Sequence, residues 1–163
     1  MSYHIYTTRG VVLSSRSLRE ADRVYSILTR DLGLIRATAL GVRKEESKLR
    51  GHIEPLSLST ISLVRGKEYW RLTSADSIKN IPVSPNFSKP FSLIETLVQG
   101  EDPNQELFDA VEEEIISNNE TDEVKLVSRI LFYLGYLQEE DLKLEKEELI
   151  KAINKGLESS HLT

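Results

Sequence analysis

EADRVYSILTRDLGLIRATALGVRK, residues Glu20–Lys44, decides how the rest of the chain is read. Two strand-like runs, Arg23 to Thr29 and Leu34 to Leu40, flank Asp31-Leu32-Gly33, where a glycine can supply the positive φ of a short hairpin turn. Arg23, Arg30, Arg36, Arg43 and Lys44 lie in or just beyond this hairpin, against Glu20, Asp22 and Asp31. One part of a small β domain is therefore expected to be electropositive and to suit a polyanion.

Upstream, Ile5, Thr7, Arg9, Val11 and Leu13 alternate with Tyr6, Thr8, Gly10, Val12 and Ser14, which predicts a first strand with a bend or bulge at Gly10. Downstream, Val42 to Gly51 is polar and basic, holding Arg43, Lys44, Lys48 and Arg50 with Glu45 and Glu46, and is expected to be a mobile loop. Pro55 then opens a fourth strand whose apolar phase shifts from Leu56 and Leu58 to Ile61 and Leu63, predicting a bulge near Ser59-Thr60. After a turn at Gly66-Lys67, Glu68 to Ser77 is a fifth strand with Tyr69 and Trp70 on opposite faces. Five short, curled strands in the first 80 residues predict an oligonucleotide-binding barrel, the OB-fold.

Beyond Asn80 the texture becomes helical. Pro82, Pro85 and Pro90 predict an extended linker from Ile81 to Pro90. A short helix from Phe91 to Gln99 is ended by Gly100. Asp102-Pro103 has the form of an N-cap followed by a first-turn proline, leading into Leu107, Phe108, Val111 and Ile115 at helical spacing, with Glu112 to Glu114 partly on the solvated face. A third helix is expected from Thr121, with Asp122 and Glu123 near its start, through Val124, Val127, Ile130, Leu131 and Leu134 to Gly135. A last helix, Glu145 to Leu157, would bury Leu149, Ile150, Ile153 and Leu157 and fray from Ser159 to Thr163. The expected class is α+β: a five-stranded OB-fold domain over residues 1–80, then a small helical domain over 81–163.

Charge divides the same way. Residues 1–80 hold 14 Lys and Arg against 8 Asp and Glu, a balance of +6, whereas residues 81–163 hold 7 against 18, a balance of −11. A basic half for a polyanion and an acidic half for packing, solubility or protein partners follows, with drifting surface charge as the alternative. The absence of cysteine excludes disulfides and thiolate metal sites. MSYHIYTTRG lacks the apolar run of a signal peptide, and no stretch reaches the roughly 18 apolar residues of a membrane helix, so a cytoplasmic, membrane-free location is expected.

Motifs for catalysis are missing. Gly66-Lys67 has neither the preceding glycine nor the following Ser or Thr of a phosphate-binding loop, and there is no Gly-x-Ser-x-Gly. His4, His52 and His161 are scattered and complete no metal site. Consecutive carboxylates at Glu112 to Glu114 point in different directions on a helix. Neither an enzyme nor a cofactor nor a metal is expected.

What remains is a binding surface. Arg16, Arg23, Arg36, Arg43, Lys44, Lys48 and Arg50 are candidate phosphate contacts, with Tyr25, Tyr69 or Trp70 as stacking platforms and Trp70 equally readable as core. Such a module can serve DNA, RNA in translation or RNA metabolism, or a protein-interaction role in which the basic loop is incidental.

Gly10-Val11-Val12-Leu13, Glu20-Ala21-Asp22-Arg23, Leu32-Gly33-Leu34, Gly41-Val42-Arg43-Lys44 and Glu54-Pro55, in this order and spacing, resemble the N-terminal signature of the RecO family of bacterial recombination mediators. Pro103 to Phe108 and Leu131 to Tyr136 are similar to its helical region, so the resemblance runs from about Tyr3 to Leu137. It implies an OB-fold with a basic DNA-contacting surface, a helical domain, and binding of single- and double-stranded DNA with annealing of complementary strands. It also implies partnership with a RecR-type protein and the single-stranded-DNA-binding protein in loading the recombinase at the nucleoid, without ATP. Many members carry a four-cysteine zinc module soon after the Leu-Gly-Tyr segment; here QEEDLKLEKEE follows Leu137, and zinc is not expected. The helical region is short by the family's pattern, which bears on its partner surfaces.

Overall fold

A computed structural model describes residues 3–44, 47–81, 84–117 and 122–160. Glu45, Glu46, Pro82, Thr121 and His161 lie outside the described residues, and with them the expected start of the third helix and part of the expected fray after the last. The chain forms two compact units, Met1–Val83 with Gln99–Gln105, and Ser84–Val98 with Glu106–Thr163. The first unit thus takes up seven further residues, Gln99–Gln105, from beyond residue 80.

The first unit is a closed five-stranded barrel of β1 (Tyr6–Ser17), β2 (Arg23–Thr29), β3 (Gly33–Ala39), β4 (Ser57–Val64) and β5 (Trp70–Asn80). The strand order β1-β2-β3-β5-β4 closes through antiparallel β1–β4 pairing, with β3 and β5 parallel where Ala37 meets Trp70. This is the expected OB-fold. Side chains alternate across the strands, so Tyr25, Ile27, Ile35, Ala37, Ala39, Ile61 and Leu63 share the interior with Val12, Trp70, Leu72 and Ala75.

The hairpin forms where the sequence places it. Gly33 has φ +74°, and the buried Thr29 hydroxyl donates to Gly33 O at 2.7 Å while accepting from Leu32 N at 3.0 Å. Thr8 clips the turn to β1 by donating to Asp31 Oδ2 at 2.9 Å.

Two details of the strands differ from expectation. In β1 the extra residue is Leu13, since Val12 pairs with Ile27 but Ser14 pairs with Ser26. Gly10 is instead a point of close approach: a Cβ there would stand 2.7 Å from Ile27 Cγ2 and 3.2 Å from Ile61 Cδ1. In β4 the pairing slips at Leu58/Ser59, close to the expected bulge, but the additional residue is Ile78 of β5. The apolar phase only looked shifted because Leu58, on the other face, is also fully buried, and because Ser57 and Ser59 occupy buried positions. Ser59 Oγ donates to His52 O at 2.6 Å and Ser57 Oγ to Glu54 O, which satisfies both hydroxyls.

The second unit holds α1 (Pro85–Leu97), most of α2 (Gln105–Ile116), α3 (Glu123–Tyr133), a 3-10 turn (Glu139–Lys143) and α4 (Lys146–Ser160). The extended linker to Pro90 is corrected here. Ser84 caps α1 by accepting from Asn86 N, and Pro85 sits in the first helical position, where its missing N–H costs nothing. Pro90 is inside the helix, and its ring joins Phe87, Phe91 and Ile94 on one buried face. Likewise α2 starts at Gln105, two residues beyond Pro103, so Asp102 is not its cap. Asp122 does cap α3, accepting from Val124 N at 3.0 Å. One core cluster of this unit is Val127, Leu131, Leu137, Leu149 and Ile153, whereas Ile150 is 39% exposed rather than buried.

Candidate nucleic-acid interface

The β3–β4 connection, expected to be a mobile loop, is built of successive turns anchored by apolar side chains. Val42 and Ile53 enter the barrel core, with Leu49 packed beside them. Gly41 N donates to Asp22 Oδ1 at 2.7 Å and Arg43 N to Ala21 O at 3.2 Å, which ties the connection to the β1–β2 turn. Arg43 is thus held next to the β1–β2 turn by its own backbone N–H.

The Leu13 bulge sets what they face. It returns the inward phase of β1 to Ser15, opposite Tyr25, and Arg23 follows two residues earlier on the same face of β2. At this end of the barrel lies a cleft of about 460 Å³ lined by Ser15, Arg23, Tyr25, Arg43, Arg50 and Glu54. Val42 and Pro55 complete the lining. Three arginines and one carboxylate give it a formal charge of +2. Arg23 Nε is buried and has no hydrogen-bond partner among the described residues.

Of the residues singled out from sequence, Arg23, Arg43, Arg50 and Tyr25 meet at this cleft. Lys44 and Lys48 are exposed on the same connection. Arg16 and Tyr69 form a separate pair, Arg16 Nη2 donating to Tyr69 Oη at 3.0 Å, and Arg36 is exposed on β3. Two stacking candidates are buried, Tyr25 against expectation and Trp70 in line with the core alternative. Tyr25 is 3% exposed, and burial, opposed by Arg23 and reinforced by Glu54, pushes its hydroxyl up to about 12. Trp70 is core, 4% exposed, with Arg65 4.7 Å from its ring centroid and Tyr6 edge-on at 5.1 Å. Tyr69 is the aromatic candidate left part-exposed.

Sequence reasoning missed Ser15, Glu54 and Pro55 as lining residues. Glu54-Pro55 was legible only as part of a family signature, and Ser15 only through a bulge whose position the sequence did not mark. His52, also in this connection, accepts from Ser77 N through Nδ1 at 3.1 Å and so serves the barrel rather than a ligand. Among the described residues no group of three or more His, Asp or Glu could hold a metal, and no helix is long and apolar enough to cross a membrane.

Residues 1–81, which include the cleft, match the family described as Recombination protein O N terminal. The DNA repair protein RecO of Dehalococcoides mccartyi (strain CBDB1) is 43% identical over 77 residues, 47% of this chain and 30% of that protein. The DNA repair protein RecO of Synechococcus sp. (strain JA-2-3B'a(2-13)) is 38% identical over 91 residues, 50% of this chain and 32% of its own length. That of Gloeothece citriformis (strain PCC 7424) is 32% identical over 117 residues, 68% of this chain and 41% of its own length. Across these matches the chain spans 30% to 41% of the relatives' length.

Proposed function

Because the chain belongs to the RecO family, we propose that it works in DNA repair, binding single- and double-stranded DNA through its barrel without catalysis. In this reading it promotes strand annealing and recombinase loading in the cytoplasm, at the nucleoid, together with a RecR-type protein and the single-stranded-DNA-binding protein.

The observation that carries the DNA reading is the convergence of Arg23, Arg43 and Arg50 on one cleft, beside exposed Lys44 and Lys48, within the segment that matches the family. Guanidinium and ammonium groups neutralise phosphates without reading sequence. With Tyr25 and Trp70 buried, phosphate contacts dominate over base stacking, and Tyr69 supplies what stacking there is.

Fluorescence anisotropy with labelled single-stranded DNA, duplex DNA and RNA of one sequence, repeated over several salt concentrations, tests this. Micromolar or tighter DNA binding that weakens steeply with salt is expected. A clear preference for RNA would assign the barrel to RNA metabolism instead. Absence of binding to all three would leave a protein-interaction module. An annealing assay then separates mere binding from the mediator role.

A further inference from the structure

We infer that the cleft at the end of the barrel holds the terminal phosphate of a DNA strand, so that the protein distinguishes a phosphorylated strand end from internal backbone. This rests on the DNA reading above. An internal phosphodiester carries one negative charge, whereas a terminal phosphomonoester carries about −1.5 to −2 near neutral pH. The lining of Arg23, Arg43, Arg50 and Glu54 has a formal charge of +2 and matches the second better than the first.

Shape and hydrogen bonding agree. At about 460 Å³ the cleft has room for a nucleotide-sized end. Glu54 on its wall disfavours a second phosphate, which suits a strand that stops there over one that runs through. Arg23 Nε is a buried donor with no partner among the described residues, a state that native proteins largely avoid. Rotation about the outer bonds of Arg23 turns its fork into the cleft, where a phosphate accepts two parallel N–H bonds.

The test compares oligodeoxynucleotides of one sequence bearing a 5′-phosphate, a 3′-phosphate or hydroxyls at both ends, with the full chain and anisotropy as readout. At least one phosphorylated form should bind about tenfold tighter than the hydroxyl form, the scale of one charge-assisted hydrogen bond. In Arg50→Ala, on the exposed connection, and in Arg23→Lys, which keeps the charge but loses the fork, that ratio should fall towards one. Lys48→Ala should weaken all three strands alike and keep the ratio. DNA binding with equal affinity for the three strands overturns the strand-end site while leaving the DNA reading intact. A ratio unchanged in both Arg50→Ala and Arg23→Lys also overturns it. Complete displacement of the phosphorylated strand by an equal concentration of deoxynucleoside monophosphate would assign the cleft to free nucleotides and overturn it too. No binding of any strand would remove the DNA reading itself.

Discussion

Trp70 donates its indole N–H to Glu101 Oε1 at 2.9 Å, and the same carboxylate pairs with Arg65, whose guanidinium lies over the indole ring. A residue far along the chain thus satisfies the one polar atom of the barrel's largest core side chain. Glu101→Ala leaves that buried donor unpaired and should cost about 1–3 kcal/mol. Glu101→Gln keeps an acceptor and loses mainly the exposed ion pair, which is worth less than about 1 kcal/mol. Trp70 is the single tryptophan, so urea unfolding followed by its fluorescence reads both variants directly.

Gly10→Ala places a methyl group against Ile27 and Ile61 in a filled interior. Overpacking of this kind should cost about 1–3 kcal/mol. The cause is checked by a double-mutant cycle with Ile27→Ala: if the clash is responsible, the double variant loses less than the sum of the two single losses. Additive losses would place the damage in the backbone.

The hairpin was legible in the sequence because its determinants are local: two strand-like runs, of which Gly33–Ala39 alternates in burial, and a glycine at the positive φ of the turn. The helical face of α1 was equally local, Phe87, Pro90, Phe91 and Ile94, yet the prolines hid it. Composition does not say whether a proline lies at a first helical position or breaks a helix; the preceding Ser84 was the usable signal. In β4 the buried Ser57 and Ser59 obscured the pattern, since a hydroxyl is tolerated inside only through partners, here the His52 and Glu54 carbonyls, which a strand pattern cannot show. The basic residues of the connection were legible as charges. Their convergence was not, because it depends on Leu13 being the residue inserted into β1 and on Val42 and Ile53 docking in the core.

Alkaline pH should loosen the barrel. The Tyr25 hydroxyl titrates at about 12 in the folded chain against 10 when exposed, so the folded state disfavours the tyrosinate. The stabilisation is whole below pH 10 and is lost as pH rises from 10 to 12. Urea midpoints of wild type should fall through this range, and those of Tyr25→Phe should fall less. Parallel curves would mean that another group controls the transition.

Replacing Arg43, Lys44 and Lys48 together with Ala should weaken DNA binding and flatten its salt dependence. If each contacts one phosphate of a single strand, the slope of log affinity against log salt drops by about 2, at roughly 0.7 per contact. An unchanged slope would remove this connection from the interface.

In the second unit, Arg129 donates to Glu113 at 2.9 Å and Glu114 at 3.2 Å. Burial works against its charge, but the hydrogen bond and the two carboxylates prevail and hold the guanidinium more firmly protonated than usual. Arg129→Ala should cost about 0.5–1 kcal/mol, a gap that narrows at high salt. A loss of several kcal/mol would mean that the stem of Arg129 matters more than its charge.

The path of the chain also sets a timetable. All five strands leave the ribosome before residue 81, but Glu101, the partner of the Trp70 indole, belongs to a seven-residue return that follows α1. Asp102 belongs to that return as well, and its backbone lies within 3 Å of where a Cβ on Gly33 would stand. A nascent chain therefore carries a barrel lacking its final contacts while α1, a piece of the other unit, is already synthesised. Any slowing of elongation between the emergence of Trp70 and that of Glu101 would prolong the interval in which the Trp70 indole lacks its acceptor.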